Sequence, residues 1–161
     1  MEKDFFKEKG FSVIEVFIGI SLAAVFLTVF MVLMVQAINV SKENTKELKA
    51  RMYLRELIEI ARDLESSDWD LITGCSPYCY FYEENFLWEI EDNQKESLEN
   101  NSYKRWILIE DVNRDSDFKI TDSGGVSDDN TKKVVAYIEI MDNDGSVQRT
   151  SKLETYIYKY D

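Results

Sequence analysis

A run of 23 uncharged residues, Val16 to Ile38 (VFIGISLAAVFLTVFMVLMVQAI), constrains this chain more than any other feature. As a helix at about 1.5 Å per residue it reaches roughly 35 Å, enough to cross the hydrocarbon core of a bilayer. Burying such a helix in a soluble domain would require a partner layer on every side, which the acidic sequence that follows is poorly suited to supply. A secretory signal peptide is the sharper rival, because Val35-Gln36-Ala37 has the form of a small-residue cleavage site. The run is nevertheless longer than the usual signal core of about 7 to 15 residues.

The flanks carry the chemistry. A polar leader ends at Lys9-Gly10 and is followed by Phe11-Ser12-Val13-Ile14-Glu15, which places a carboxylate at the mouth of the apolar run. An ionised carboxylate well inside a bilayer costs on the order of 2.5 to 3.5 kcal/mol, so Glu15 is expected to find a cation or to sit at the interface. Cleavage before Phe11 would create an α-amine four residues from Glu15. The amine could be met within one chain or by a neighbouring copy while apolar helices bundle, and a link between copies would fix their axial stagger.

The sequence Lys9-Gly10-Phe11-Ser12-Val13-Ile14-Glu15 followed by a long apolar stretch resembles the class III leader of type IV prepilins and type II secretion pseudopilins. The resemblance implies cleavage after Gly10 by a prepilin peptidase, N-methylation of Phe11, and recruitment and assembly through Glu15. Other pilin or pseudopilin subunits, an inner-membrane assembly platform and membrane lipid are the implied partners. It also implies a single-pass protein of the inner membrane with an extracytoplasmic head, which then enters a pilus or pseudopilus. That orientation rests on the resemblance alone, since Lys42, Lys46, Lys49 and Arg51 outnumber the bases of the leader. Many major pilins have a proline inside this helix. Here the sole proline is Pro77, and Gly19 is the one soft point expected.

Charge and composition narrow the head. Of 19 Lys and Arg and 31 Asp and Glu, the leader takes three of each (Lys3, Lys7, Lys9; Glu2, Asp4, Glu8), which with Glu15 removed leaves 16 bases against 27 acids. Such a surface repels phosphate backbones, so no direct nucleic-acid binding is expected. Histidine is absent, which removes the commonest general base and every Ser/His or Cys/His nucleophile pair. A membrane-tethered carboxylate enzyme such as a glycosidase is the residual catalytic reading. The expectation is a structural subunit with no reaction of its own.

Beyond the apolar run, Leu54, Leu57, Ile58, Ala61 and Leu64 recur at helical spacing, which predicts one helix from about Phe11 to Glu65, roughly 80 Å long. Ser66-Ser67-Asp68 and Gly74 are expected to end it. Residues 75–161 read as strands and loops: an aromatic-rich stretch from Tyr78 to Trp88, a short strand Trp106–Ile109, and a strand Lys133–Met141. The turn Asp142-Asn143-Asp144-Gly145 joins this last strand to another ending at Tyr156-Ile157-Tyr158, forming a hairpin.

The predicted organisation is therefore a cleaved leader (1–10), a membrane or filament-core helix (11–38), and a head (39–161) with helix 39–65 and β-rich region 75–161. The fold class is α+β, with an antiparallel sheet laid on the apolar face of the long helix. This resembles the pilin head, and Thr131-Lys132-Lys133-Val134-Val135 looks like the C-terminal region of minor pilins.

Three further features call for weighing. Asp111, Asn113, Asp115, Asp117 and Asp122 stand at relative positions one, three, five, seven and twelve, a spacing that resembles EF-hand and dockerin-type calcium loops. Ser116 occupies the usual glycine position, and Asp122 replaces the longer glutamate, departures that weigh toward an acidic surface turn. No cofactor is required, and calcium is the one the spacing admits. Cys75 and Cys79 could be a disulfide, a metal half-site or a redox pair; an extracytoplasmic head and the lack of any second Cys or His cluster favour the disulfide. Tyr78, Tyr80, Phe81, Tyr82, Phe86 and Trp88 could form an adhesive surface, though sheet packing is the commoner use of such a stripe. The different-class alternative to a filament subunit is a single-pass anchored binding module, calcium-stabilised or not, that never polymerises.

Overall fold

The computed structural model describes residues 12–84, 87–121, 124–142 and 144–159. Gly10, Phe11, Phe86, Asp122 and Asn143 lie outside them. Two compact units are present, Met1–Thr45 and Lys46–Asp161. Helix α1 spans Val13–Ser67 and contributes to both. With no proline in this span, no residue lacks the N–H that the i to i−4 ladder needs.

Within the second unit, α1 buries Ala50, Leu54, Leu57, Ile58, Ile60, Ala61 and Leu64. This face packs on a seven-stranded antiparallel sheet: β1 Cys79–Glu84, β2 Leu87–Asp92, β3 Glu96–Leu98, β4 Tyr103–Arg114, β5 Ile120–Thr121, β6 Val126–Met141 and β7 Val147–Tyr158. The strand order is β2-β1-β4-β6-β7, with β3 and β5 both paired to β4. Directly opposed residues share a face of the sheet. The pairs Ile107↔Ala136, Arg105↔Ile138 and Tyr103↔Ile140 therefore point together, and all are buried in the core with Phe81, Val134 and Ile157. Each Leu or Ile fully removed from water contributes about 1.5 to 3 kcal/mol, which identifies this interface as the main source of stability. The fold is thus α+β, a long N-terminal helix packed on a C-terminal antiparallel sheet.

Several boundaries differ from those read in the sequence. Ser66 and Ser67 remain helical, each hydroxyl donating to the Asp63 carbonyl at 3.0 Å. Asp68 begins a second helix, α2 Trp69–Thr73, by accepting the Leu71 N–H at 3.0 Å, and Gly74 terminates that helix. Ile72 of α2 is fully buried. Strand β6 begins seven residues before the expected Lys133, because the polar stretch Val126–Asp128 pairs with Val112–Arg114 past a register shift between Asp111 and Val112. Gly124, Gly125 and Gly145 adopt the left-handed backbone that favours glycine. Gly125 has φ +84°, and a Cβ there would overlap the Arg114 carbonyl. Gly145, at φ +82°, donates its N–H to the Asp142 carbonyl at 2.9 Å in the β6–β7 turn.

Candidate functional site

The described chain begins at the predicted processing motif. The Ser12 Oγ accepts the Ile14 N–H at 3.4 Å, and the Glu15 carboxylate reaches back to the Ser12 N–H, also at 3.4 Å. Ser12-Val13-Ile14-Glu15 is therefore arranged as a capping box, in which serine and glutamate satisfy N–H groups that the first helical turn leaves orphaned. The carboxylate also lies at the positive end of the helix dipole. The sequence signal for this second role of Glu15 was the Ser-x-x-Glu spacing itself.

Past Glu15 the apolar side chains are exposed throughout: Phe17 is 73% exposed, Phe26 71% and Met31 65%. The segment is a candidate membrane span, with no part of its most apolar 18-residue window buried. Its hydroxyls suit such a medium. Ser21 donates to the Phe17 carbonyl and Thr28 to the Ala24 carbonyl, both at 2.8 Å, so neither needs water. A Cβ added at Gly19 would meet nothing within 4 Å, so intrachain packing does not demand glycine there.

In the head, Cys75 and Cys79 form a disulfide with Cα atoms 5.6 Å apart, and both residues are buried. The bridge links the chain just past α2 to the start of β1, where Cys79 pairs with Ile107. Asp92 lies close to both sulfurs, but its Oδ1 accepts the Ser76 N–H at 3.3 Å and the sulfurs are bonded to one another.

Of the stretch with calcium-loop spacing, Asp111, Asn113, Asp115 and Asp117 are described and Asp122 is not. Asp111 and Asn113 lie on strand β4, where Asp111 accepts from Lys132 at 2.6 Å. Asp115 organises a tight turn by accepting the N–H groups of Asp117 and Lys119, both at 2.9 Å. Among the described residues, no three acidic groups of this stretch converge within 4.8 Å of one another. The alternating spacing arises from the two-residue period of a strand running into an Asx turn.

The aromatic stripe divides between the two faces of the sheet. Phe81 is buried under α1, whereas Tyr80 and Tyr82 pack together on the opposite face with ring centroids 5.9 Å apart. Tyr82 donates to the Glu89 carboxylate at 2.6 Å, and this bond pushes its phenol up to about 12. On the same face Trp106 stacks on Tyr137 at 5.2 Å, with the Lys95 ammonium 3.9 Å from the Trp106 centroid.

Sequence reasoning missed Arg105, a guanidinium 4% exposed within the core. It donates to Glu96 at 2.5 Å, to Glu56 of α1 at 3.1 Å and to the Tyr53 carbonyl at 3.4 Å. Burial disfavours its charge, but the bonds to Glu96 and Glu56 outweigh that penalty and hold it above its ordinary value. The available signal was a charge at an inward position of the alternation Tyr103, Arg105, Ile107.

Comparison with protein-family models, curated proteins and solved structures returned no match.

Proposed function

We propose that this chain is a minor pilin or pseudopilin, a structural subunit of a type IV pilus or a type II secretion-like filament. A prepilin peptidase cuts after Gly10, Phe11 is N-methylated, and Val16–Ile38 holds the subunit in the inner membrane with its head outside. Extraction into the filament follows, with Glu15 neutralising the N-terminal amine of a neighbour. The subunit has no reaction of its own and needs no cofactor.

The observation that carries this reading is the placement of Glu15. It lies at the N-terminal mouth of an uncharged, exposed helical stretch, five residues beyond Gly10, on the same helix whose later turns form the core of an α+β head. A plain anchor uses such a carboxylate only to cap the first helical turn, as Glu15 does with Ser12. A salt link to the N-terminal amine of a second copy gives it a use that an anchor lacks.

Glu15→Ala in the full chain, expressed in its native host, tests this. The variant should remain in the membrane fraction and be processed, yet be lost from the sheared filament fraction. Undiminished incorporation of Glu15→Ala into filaments would remove the assembly role.

A further inference from the structure

The head carries two surfaces of opposite charge at opposite edges of its sheet, and both lie within Lys46–Asp161. Along edge strand β7, two adjoining depressions of about 350 and 340 Å³ follow the seam between α1 and β7, sharing Arg55 and Leu153 in their walls. Arg51, Arg55 and Arg62 project from the helix side and Arg149 from the strand side, with Glu47 and Glu59 of the helix in the same walls; Lys152, opposite Tyr137, is on the other face of the sheet. Leu153, 39% exposed, lies between them.

Not all of this positive charge is matched. Glu47 takes Arg51 and Arg149. Arg55 and Arg62 have no carboxylate partner among the described residues, and Arg62 donates only to the Thr155 hydroxyl at 3.2 Å.

The opposite edge is the β1–β2 hairpin. Between Glu83 and Asp92 the sequence has five carboxylates (Glu83, Glu84, Glu89, Glu91, Asp92) and no Lys or Arg. A chain with net charge -12 repels its own copies unless local charge is complementary, and a seam with two unmatched guanidinium groups facing such a hairpin meets that condition.

We propose that the α1–β7 seam of one copy receives the acidic β1–β2 hairpin of a second copy of this chain, with Arg55 and Arg62 bonded to the hairpin carboxylates. Because the two surfaces are different patches, the contact is heterologous and repeats without closing unless the rotation happens to complete a ring. The inference rests on the filament reading, for which it supplies a lateral contact between heads.

The test uses the full chain in native membranes, with Ser151→Cys in the seam and Glu83→Cys on the hairpin, Cys75 and Cys79 being already paired. Mild oxidation should give a ladder of multimers extending past the dimer, and neither cysteine alone should cross-link. Adding Arg55→Glu and Arg62→Glu should reduce the ladder about tenfold, since like charges would then face each other across the contact. Adding Glu89→Arg and Glu91→Arg to that variant should restore it. Circular dichroism of each variant should match the parent.

Dimers from a single cysteine, cross-links to another protein only, or a ladder indifferent to every reversal would overturn the proposal. The mature N-terminus, read on the same samples, separates the two ideas. A charge-dependent ladder from chains that retain Met1 keeps the head contact and removes the filament. Chains that begin at Phe11 and assemble with no response to the reversals do the opposite.

Discussion

The Glu15 carboxylate accepts the backbone N–H of Ser12 at 3.4 Å, closing the first turn of a 55-residue helix with the side chain proposed to meet a neighbour's N-terminus. The bond is long, hence weak, and yields readily to a charged amine. Within a single chain it gives Glu15 a partner at the entrance to the apolar run.

Ser12→Ala removes the other half of this cap and is expected to destabilise the first turn by about 1 kcal/mol, with little effect on the rest of the helix. Amide exchange at Val16, whose N–H bonds the Ser12 carbonyl at 3.2 Å, should quicken about fivefold in detergent. Unchanged exchange there would mean the cap contributes nothing.

Arg105→Ala would leave Glu96 without its buried counter-charge, at a cost of about 3 kcal/mol or more to head stability. Arg105→Met with Glu96→Gln removes both charges and should recover part of that loss. Thermal unfolding of the four members of the cycle measures the coupling, and simple additivity would show that the pair is not coupled.

The Cys75–Cys79 bridge closes a loop of only five residues, so its constraint on the unfolded chain is modest, roughly 2 kcal/mol. Reduction, or Cys75→Ala with Cys79→Ala, should lower the denaturant midpoint by a corresponding amount while leaving a folded head. Complete unfolding on reduction would show that the bridge, and not the helix–sheet core, decides the fold.

Tyr82 offers a pH signature. The hydrogen bond to Glu89 raises its folded-state value from the ordinary phenol value of 10.0 to about 12, so the contact favours folding fully below pH 10.0 and loses that effect as pH rises through about 12. Ultraviolet titration should show a late phenol that disappears in Tyr82→Phe and moves down in Glu89→Gln. A tyrosine titration unchanged by Glu89→Gln would sever the two.

The helical face was readable because Leu54, Leu57, Ile58, Ala61 and Leu64 carry a pattern over three turns, and all five are buried. The α+β class followed from that pattern and the β6–β7 turn. The period is what the other regions lack. Trp69–Thr73 is too short for a helical repeat to emerge, and Val126–Thr131 is polar enough to hide a strand held by its neighbour. Asp111 and Asn113 lie on strand β4, whose alternation reproduces the early positions of a calcium loop, and Asp122 of the same spacing lies outside the described residues. Arg105 stood at an inward position of its strand, but the carboxylates that compensate it, Glu56 of α1 and Glu96 of β3, come from other elements that its own strand does not reveal. Gly10 and Phe11 lie outside the described residues, so their proposed roles rest on the sequence.

The most direct test of the central proposal is the N-terminal peptide mass of the chain isolated from native membranes or sheared filaments. The expected result is a mature chain beginning at N-methylated Phe11. A chain beginning at Met1 would contradict it in favour of an anchored module that never polymerises, and one beginning at Ile38 would make the apolar helix a discarded signal.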